Sequence, residues 1–294
     1  MIPLRTVVIG ASNKPSWSER SAGRKLGATV ALWCMLLATC TLISCSSASR
    51  WAPELHVFTS GGFTAALAAA AEQYERGTGI RIVIGRGPSM GETPQSIPNR
   101  LSRHEDADVV ILVRSALDKL AAAGQVQPGT VQDLGLSKIA VAVKAGAPLP
   151  DISTPDALRA TLLRAKSVAW SDSASGVYIQ STMLDKLGIA AQLRSKGRMI
   201  PATPVGEIVA DGEAEIGFQQ LSELKPIKGI QIVGLLPESL QKVTRYSAGI
   251  VSYCSHPAEA RAFIEFLTSA KVIAAIRESG LEPVGLSAAH GLTY

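Results

Sequence analysis

The sequence predicts an α/β fold with parallel β-sheets, and three observations support this prediction. Strand-like and helix-like segments alternate almost throughout the chain that follows the first fifty residues. Several strand-like segments are continuous apolar runs, which is typical of strands buried on both faces of a parallel sheet. Serine and glycine turns directly follow three of the strands, and ligands of such sheets bind at the carboxyl ends of strands.

The predicted elements follow one another in this alternating order. The helix at 155–165 has the clearest start signal, because Thr154 suits the N-cap, Pro155 the first helical position and Asp156 the positive end of the helix. Strands are predicted at residues 55–59, 80–84, 109–113, 139–143, 167–171, 215–218, 230–235 and 249–253, and helices at 63–76, 116–123, 155–165, 177–187, 204–211 and 258–269.

The turn at residues 57–62 is the most informative stretch, and it reads V-F-T-S-G-G. A strand that ends in bare backbone amides at a helix N-terminus can hold an anion, and glycines let the backbone approach a ligand closely. The same pattern recurs at residues 87–91 and 172–176, each time after a strand. One such turn is an ordinary α/β connection. Three in one chain favour a shared cleft for a small ligand.

The N-terminus predicts export. Arg20, Arg24 and Lys25 precede an apolar run at residues 26–44, which ends immediately before Cys45. A basic segment, an apolar segment and small residues at the exit are typical of a secretory signal. We therefore expect residues 1–44 to be a presequence and the remaining chain to be periplasmic or extracytoplasmic.

Three forms of this export remain open. Residues 42–45 read L-I-S-C and resemble the bacterial lipobox, in which Cys45 would be lipidated and anchor the protein. The apolar run also approaches the roughly 20 residues that a transmembrane anchor needs. The third form is ordinary cleavage after residues 46–48. The lipid-anchored form is the one that we expect.

Charge and cysteine usage exclude several functions. Five basic residues and one acidic residue precede Cys45, so the chain from there onward carries a net charge of about +1. This near-neutral chain offers no case for nucleic-acid binding, and contact with the membrane is expected only through the N-terminal lipid. The lone Cys254 lies in an apolar pattern and is expected to be a core residue. No spacing resembles a zinc site, and we expect neither metal nor cofactor.

Enzyme motifs are nearly absent from the sequence. Residues 222–225 have the S-x-x-K spacing of penicillin-interacting serine enzymes, but no S-D-N or K-T-G companion follows. Residues 85–91 match neither a dinucleotide fingerprint nor a P-loop, and HExxH does not occur. The prediction is that the protein is not an enzyme. An exported serine enzyme that uses Ser222 and Lys225 is kept as an alternative.

The order and spacing of five segments resemble the periplasmic solute-binding proteins of ABC transporters, and among them the molybdate-binding family. The resemblance implies a two-lobed type II periplasmic binding protein fold with a two-strand hinge. It implies a monomeric receptor that delivers a small oxyanion, such as molybdate or tungstate, to ABC permease subunits. A small organic carboxylate is the alternative ligand. The segments lie at residues 57–67, 74–80, 107–112, 211–217 and 257–267, with lobe I at 52–140 plus 236–294 and lobe II at 141–235.

The resemblance also implies a binding site between the lobes. In this family, neutral hydroxyl and amide donors hold the oxyanion, and several aimed dipoles can compensate a buried charge. The serine of the family's first turn aligns with Gly62 and its tyrosine with Gln220, so Ser60 would supply the first hydroxyl. The expected ligand-binding residues are Ser60, Gly61, Gly62, Ser89 and Met90 from lobe I and Ser175, Gly176, Val205 and Gln220 from lobe II.

Overall fold

Two β-sheets with helices packed against them make up the part of the chain that the structure, a computed structural model, describes, which is residues 54–284. The strands are β1 (Glu54–Thr59), β2 (Arg81–Arg86), β3 (Val109–Val113), β4 (Gln132–Ser137), β5 (Ile139–Lys144), β6 (Val168–Ser171), β7 (Gly197–Ile200), β8 (Ile216–Gln220), β9 (Ile230–Leu235), β10 (Thr244–Ile250) and β11 (Glu282–Pro283).

The helices vary widely in length, and α1 is the longest of those that the structure describes. A π-helical turn (Ile179–Met183) joins α5 to α6, and two short 3₁₀ turns are Glu238–Leu240 and Ala270–Val272. The α-helices are α1 (Gly61–Thr78), α2 (Ile97–Ser102), α3 (Arg114–Ala122), α4 (Pro155–Arg164), α5 (Ala174–Tyr178), α6 (Leu184–Lys186), α7 (Ala190–Leu193), α8 (Val205–Asp211), α9 (Leu221–Leu224), α10 (Pro257–Leu267) and α11 (Ile273–Glu278).

Both sheets have the same arrangement of strand directions. The first sheet has the order β11-β4-β10-β3-β1-β2 and the second the order β7-β6-β8-β5-β9. In the first sheet, β1 runs parallel to β2 and β3, whereas β10 is antiparallel to β3 and β4. In the second sheet, β6 runs parallel to β7 and β8, whereas β5 is antiparallel to β8 and β9. The predicted two-lobed α/β fold is confirmed.

Each sheet contains antiparallel pairs beside the parallel strands that the sequence predicts. The chain passes from the first sheet to the second between β4 and β5, and it returns between β9 and β10. No α-helix precedes β5 or β10 after the crossing, and parallel pairing within one sheet normally needs a long crossover connection. The incoming strand therefore pairs antiparallel in each sheet. The boundaries predicted for the two lobes stay a prediction, and β5 already begins at Ile139.

Most predicted elements are present, and the missed ones have weak sequence signals. Strands β3 and β9 have the predicted bounds, but β10 begins at Thr244, five residues before the predicted start at 249. β4 reads Q-D-L-G-L-S and lacks an apolar run, and β7 has only four residues. The other missed elements are β11, α2, α7, α9 and α11, all of which are short.

Two large apolar cores fix the ends of the strands. In the first sheet, α1 contributes Phe63 and Leu67, and its Tyr74 meets the ring of Phe263 on α10 at a centroid distance of 4.9 Å. In the second sheet, Trp170 and Phe218 are part of a separate core. Because each strand that leads to a turn is anchored in a packed core, the turns at the strand ends have a rigid base.

Two further predictions can be compared with these residues. The hydroxyl of Thr154 accepts a hydrogen bond from the Ala157 amide at 3.1 Å, which confirms the predicted N-cap of α4. Cys254 is half-buried beside the first core, and its thiol donates to Asp108 Oδ1 at 3.1 Å. The presequence and Cys45 lie outside the described residues. Within residues 54–284, no helix is both long and apolar enough to span a bilayer.

Candidate functional site

A cavity of about 720 Å³ lies where strands of both sheets end. The turns after β1, β2 and β6 contribute residues 60–62, 87–89 and 172–174 to its wall. Strand ends are where parallel α/β sheets bind their ligands. The other residues of the wall are Thr64, Ala65, Ala68, Arg86, Gln95, Val113, Ser171, Ala202, Thr203, Pro204, Glu207, Gln219, Ser222, Glu223, Pro226, Ile227 and Tyr246.

The N-terminus of α1 carries a buried hydroxyl without a partner at the wall of this cavity. Ser60 is the N-cap residue and only 5% exposed, and its Oγ has no hydrogen-bond partner within the described residues. Its backbone is held by the carbonyl of Ile111, which accepts the Ser60 amide at 3.0 Å. The first amides of a helix lack partners inside the helix, so Ser60 and the first turn of α1 are ready to bind an anionic group.

Glu223 places a carboxyl group directly above this first turn. The residue lies on α9, which follows β8, and its Oε2 accepts a hydrogen bond from Gln219 Nε2 at 2.6 Å. A Cβ atom added to Gly61 would lie only 2.5 Å from that oxygen, so the glycine is needed for the close approach. The side chain of Glu223 is half-buried because one side of it faces the cavity.

The surroundings of Glu223 make it an acid–base group at neutral pH. Desolvation raises the pKa of its carboxyl from the ordinary 4.5 to about 7, and the charge of Asp172 acts in the same direction. The hydrogen bond from Gln219 opposes this shift. A carboxyl with a pKa near neutrality can both accept and release a proton under physiological conditions.

Tyr246 on β10 lies on the other side of the same turn. Its hydroxyl packs against Gly62, where a Cβ atom would overlap the phenol oxygen. Burial, with the nearby charge of Glu223, raises the pKa of Tyr246 well above its ordinary value of 10. The phenol therefore stays protonated and can serve as a hydrogen-bond donor to a ligand.

The wall opposite α1 carries a set of hydroxyl groups. Ser171 Oγ lies 2.8 Å from Ser173 Oγ and 3.1 Å from Ser175 Oγ. Ser171 and Ser173 line the cavity, whereas Ser175 lies behind them. Hydroxyl groups can reorient to donate to a ligand, so this wall offers neutral donors as well.

The expected lobe I residues lie at the cavity with one exception. Ser60, Gly61, Gly62 and Ser89 line it, whereas Met90 does not. Ser89 is 2% exposed, and its Oγ accepts the Val113 amide at 3.1 Å. That bond ties the turn after β2 to the end of β3.

The expected lobe II residues are not part of the cavity wall. The Val205 amide donates to Gln219 Oε1 at 2.9 Å, and Gln220 Nε2 donates to Thr244 Oγ1 at 2.8 Å. These groups are engaged within the protein. Their neighbours in sequence, Pro204 and Gln219, are wall residues instead.

The turn after β6 deviates in the same way. Gly176 packs so closely on Ser171 that a Cβ atom would overlap the Ser171 carbonyl oxygen, so this glycine serves helix packing. The Ser175 side chain is 1% exposed and bonds to Ser171. Ser173 and Ala174, two residues earlier in the turn, form the wall instead.

The structure does not place the base that the alternative of a serine enzyme needs, Lys225, at the cavity. Ser222 lines the cavity and is 2% exposed, and its Oγ lies 3.4 Å from Ser137 Oγ. Lys225 Nζ donates to the Glu278 carbonyl at 2.6 Å and does not line the cavity. The lysine of this S-x-x-K segment therefore points toward α11.

Sequence reasoning missed the two groups that define the chemistry of the cavity. Glu223 lies three residues after the end of the buried strand β8. A charged residue in that position was the sequence feature that could have indicated it. Tyr246 lies in the part of β10 that the strand prediction omitted. A long-range contact with Gly62 leaves no mark in the local sequence.

The chain belongs to the bacterial extracellular solute-binding protein family, whose sequence pattern matches residues 55–282. The periplasmic molybdate-binding protein of Azotobacter vinelandii has the same fold, at 23% identity and a TM-score of 0.61, over 77% of this chain and 98% of that one. PEB3 of Campylobacter jejuni, solved with bound L-phospholactate, is 16% identical with a TM-score of 0.61, over 78% of this chain and 99% of that one. The predicted resemblance is confirmed, and the family is extracytoplasmic.

A protein of Pseudomonas sp. is 51% identical to this chain over 256 residues, which cover 87% of this chain and 96% of that protein. Its name is aconitate isomerase. The prediction that the protein is not an enzyme is therefore wrong. The motifs considered in the sequence indicate nucleophiles, phosphate loops and zinc sites, whereas an acid–base group in a cavity has no short sequence motif.

Proposed function

We propose that the protein is an isomerase that interconverts the cis and trans forms of aconitate, with Glu223 as the group that moves the proton. The observation that carries this proposal is the Glu223 carboxyl, which has a pKa of about 7 and lines the cavity above the first turn of α1. The name of the 51% identical relative supports the choice of substrate.

The reaction needs only a proton shift. Aconitate is a propene that bears one carboxylate on each carbon, and its CH₂ group is activated by the adjacent double bond and carboxylate. Glu223 takes a proton from this CH₂, and the electron pair of the broken C–H bond enters the allylic system. Return of the proton to the other terminal carbon forms a new C–H bond and moves the double bond. The two ends are constitutionally equivalent, so the product is aconitate again, in either geometry.

The surrounding groups stabilise the charge that develops. The allylic anion delocalises its charge onto the carboxylates, and donors that are already oriented can stabilise it without rearranging. The hydroxyls of Ser60 and Tyr246, with the first amides of α1, are such donors. Gln219 acts as a positioning residue, because its amide holds the carboxyl of Glu223.

The test is a proton NMR assay of purified protein with cis-aconitate and, separately, with trans-aconitate. The Glu223→Gln variant should lose about a hundredfold to ten-thousandfold of the rate, the usual contribution of a general base. Glu207→Gln is the matched control, because it removes a carboxylate from the exposed rim of the same cavity. No isomerisation by the wild-type protein would refute the proposal, as would an unchanged rate in Glu223→Gln.

A second candidate function is capture of an oxyanion, of the molybdate or tungstate type, for ABC permease subunits. The family match and the neutral donors around Ser60 favour it. In this proposal a monomer closes its two lobes, 52–140 plus 236–294 and 141–235, on the ligand. A thermal-shift series with molybdate, tungstate and a small dicarboxylate tests this function. A ligand at 100 times its dissociation constant adds about 2.7 kcal/mol to the free energy of unfolding. If neither molybdate nor tungstate shifts the melting temperature, the proposal that the protein binds such an oxyanion is refuted.

Lipid anchoring through Cys45 also remains a proposal. Two or more acyl chains give stable membrane attachment where one is marginal. Cys45→Ala should therefore release the protein from the membrane fraction or leave the presequence uncleaved. A mature N-terminus at Ser49, found by mass spectrometry, would contradict lipidation and support simple secretion.

A further inference from the structure

Arg86 is the only basic residue in the cavity wall formed by residues 54–284. It is exposed, and within this part of the chain no carboxylate lies within ion-pair distance of its guanidinium. Arg245, which lies on β10 next to Tyr246, donates to Asp133 Oδ2 at 2.6 Å and does not line the cavity. Arg86 is therefore a free cation at the edge of a cavity.

The backbone that carries Arg86 is firmly held. The guanidinium of Arg100 lies 3.6 Å from the ring centroid of Phe58, and its Nη1 donates to the Arg86 carbonyl at 3.1 Å. Gly85 lies so close to Phe58 that a Cβ atom would be 2.6 Å from Cδ1 of the ring. The Gly87 amide donates to the Thr59 carbonyl at 3.2 Å. The end of β2 thus has one defined position.

The cavity offers two further places for a carboxylate, both neutral. One is the first turn of α1 with the unpartnered hydroxyl of Ser60, and the other is the pair of hydroxyls at Ser171 and Ser173. A dicarboxylate that used these two places would leave Arg86 unpaired. We infer that Arg86 binds the third carboxylate of a tricarboxylate and so selects tricarboxylates over dicarboxylates.

The charge of the cavity wall makes this cation important. Asp172, Glu207 and Glu223 also line the cavity, so a ligand with three negative charges meets other carboxyl groups. Arginine can bind a carboxylate through two parallel hydrogen bonds, which adds both charge compensation and geometry. The inference rests on the proposed function only for the choice of aconitate as substrate, and it can be tested with unreactive ligands.

The experiment measures binding of propane-1,2,3-tricarboxylate and of glutarate by calorimetry. Glutarate has the same five-carbon frame but lacks the central carboxylate, and neither compound has a double bond to isomerise. Wild-type protein should prefer the tricarboxylate, and Arg86→Gln should weaken its binding by about tenfold to a hundredfold, with little change for glutarate. Arg86→Lys should recover part of the loss, because it keeps the charge without the paired donors.

Arg76→Gln is the matched control. Arg76 is an exposed arginine in the last turn of α1, roughly 20 Å along the helix from its first turn. The Arg76→Gln variant should bind both ligands as the wild-type protein does. An unchanged preference for the tricarboxylate in Arg86→Gln would overturn the inference. If the wild-type protein does not convert aconitate at all, the proposed function is refuted, and the Arg86-dependent preference for the tricarboxylate still stands.

Discussion

The pKa of Glu223 predicts how the stability of the protein changes with pH. The folded protein holds the proton of this carboxyl up to a pH of about 7, whereas the unfolded chain releases it near 4.5. A proton that is bound more tightly in the folded state stabilises it at low pH. The stabilisation is complete below pH 4.5 and is lost as the pH rises through about 7. The difference between the two pKa values corresponds to about 3 kcal/mol.

The variant Glu223→Gln isolates this contribution. Glutamine has nearly the same shape but does not titrate, so the variant should lose less stability than the wild-type protein between pH 4.5 and pH 8. Urea unfolding without ligand, at a series of pH values, gives the free energy of unfolding for each protein. Every other group contributes equally to both curves, and their difference should approach 3 kcal/mol across this range.

The same measurement can refute the reasoning. If the two proteins change stability in parallel with pH, then desolvation does not raise the pKa of Glu223, and the group is an ordinary ionised carboxylate at neutral pH. Glu207→Gln serves as the control, because it removes a carboxylate that is exposed at the rim of the cavity. Its curve should follow that of the wild-type protein. A pH-dependence altered equally by both variants would show a general effect of charge.

Three other variants test separate parts of the structure. Gly61→Ala should displace the flexible end of Glu223, because Oε2 would lie 2.5 Å from the new Cβ. The substitution should therefore lower the isomerisation rate of the wild-type protein, but it should not lower the rate of the Glu223→Gln variant any further. Tyr246→Phe removes a donor from the cavity and should lower kcat by about a hundredfold without loss of thermal stability, measured by NMR assay and thermal unfolding. Thr154→Ala removes the N-cap bond to Ala157 and should cost about 1 kcal/mol in urea unfolding, with the rate unchanged.

The turns at the strand ends could be predicted because their causes are local. V-F-T-S-G-G contains a strand, a break and a helix start within a few residues, and β1 and α1 lie where this pattern indicates. The cap at Thr154 is local in the same sense. The cavity wall contains residues of all three predicted turns, since each turn follows the carboxyl end of a parallel strand and strands of both sheets end at the cavity.

The chemistry of the cavity could not be predicted in this way. Burial raises the pKa of Glu223 where α9 packs its carboxyl against Gly61, and Tyr246 lines the cavity because β10 returns to the first sheet. Both facts depend on contacts between residues that are distant in sequence. The residues expected from lobe II lie one or two positions from residues of the cavity wall for a related reason. The sequence of a turn indicates that amides are available, but packing decides which of them are already engaged.

A binding protein needs little change to become an isomerase of this kind. A cleft that holds an anion with neutral donors already has dipoles oriented toward its charge, and such dipoles are a requirement for stabilising an allylic anion. What is missing is a group that exchanges a proton near neutral pH. α9 supplies it from the end of β8, and the same burial that makes the carboxylate costly makes it basic. In the proposed reaction, Tyr246, Ser60 and the α1 amides act on the reacting anion as they would act on a bound one, and the raised pKa of the Glu223 carboxyl separates isomerisation of a solute from its capture.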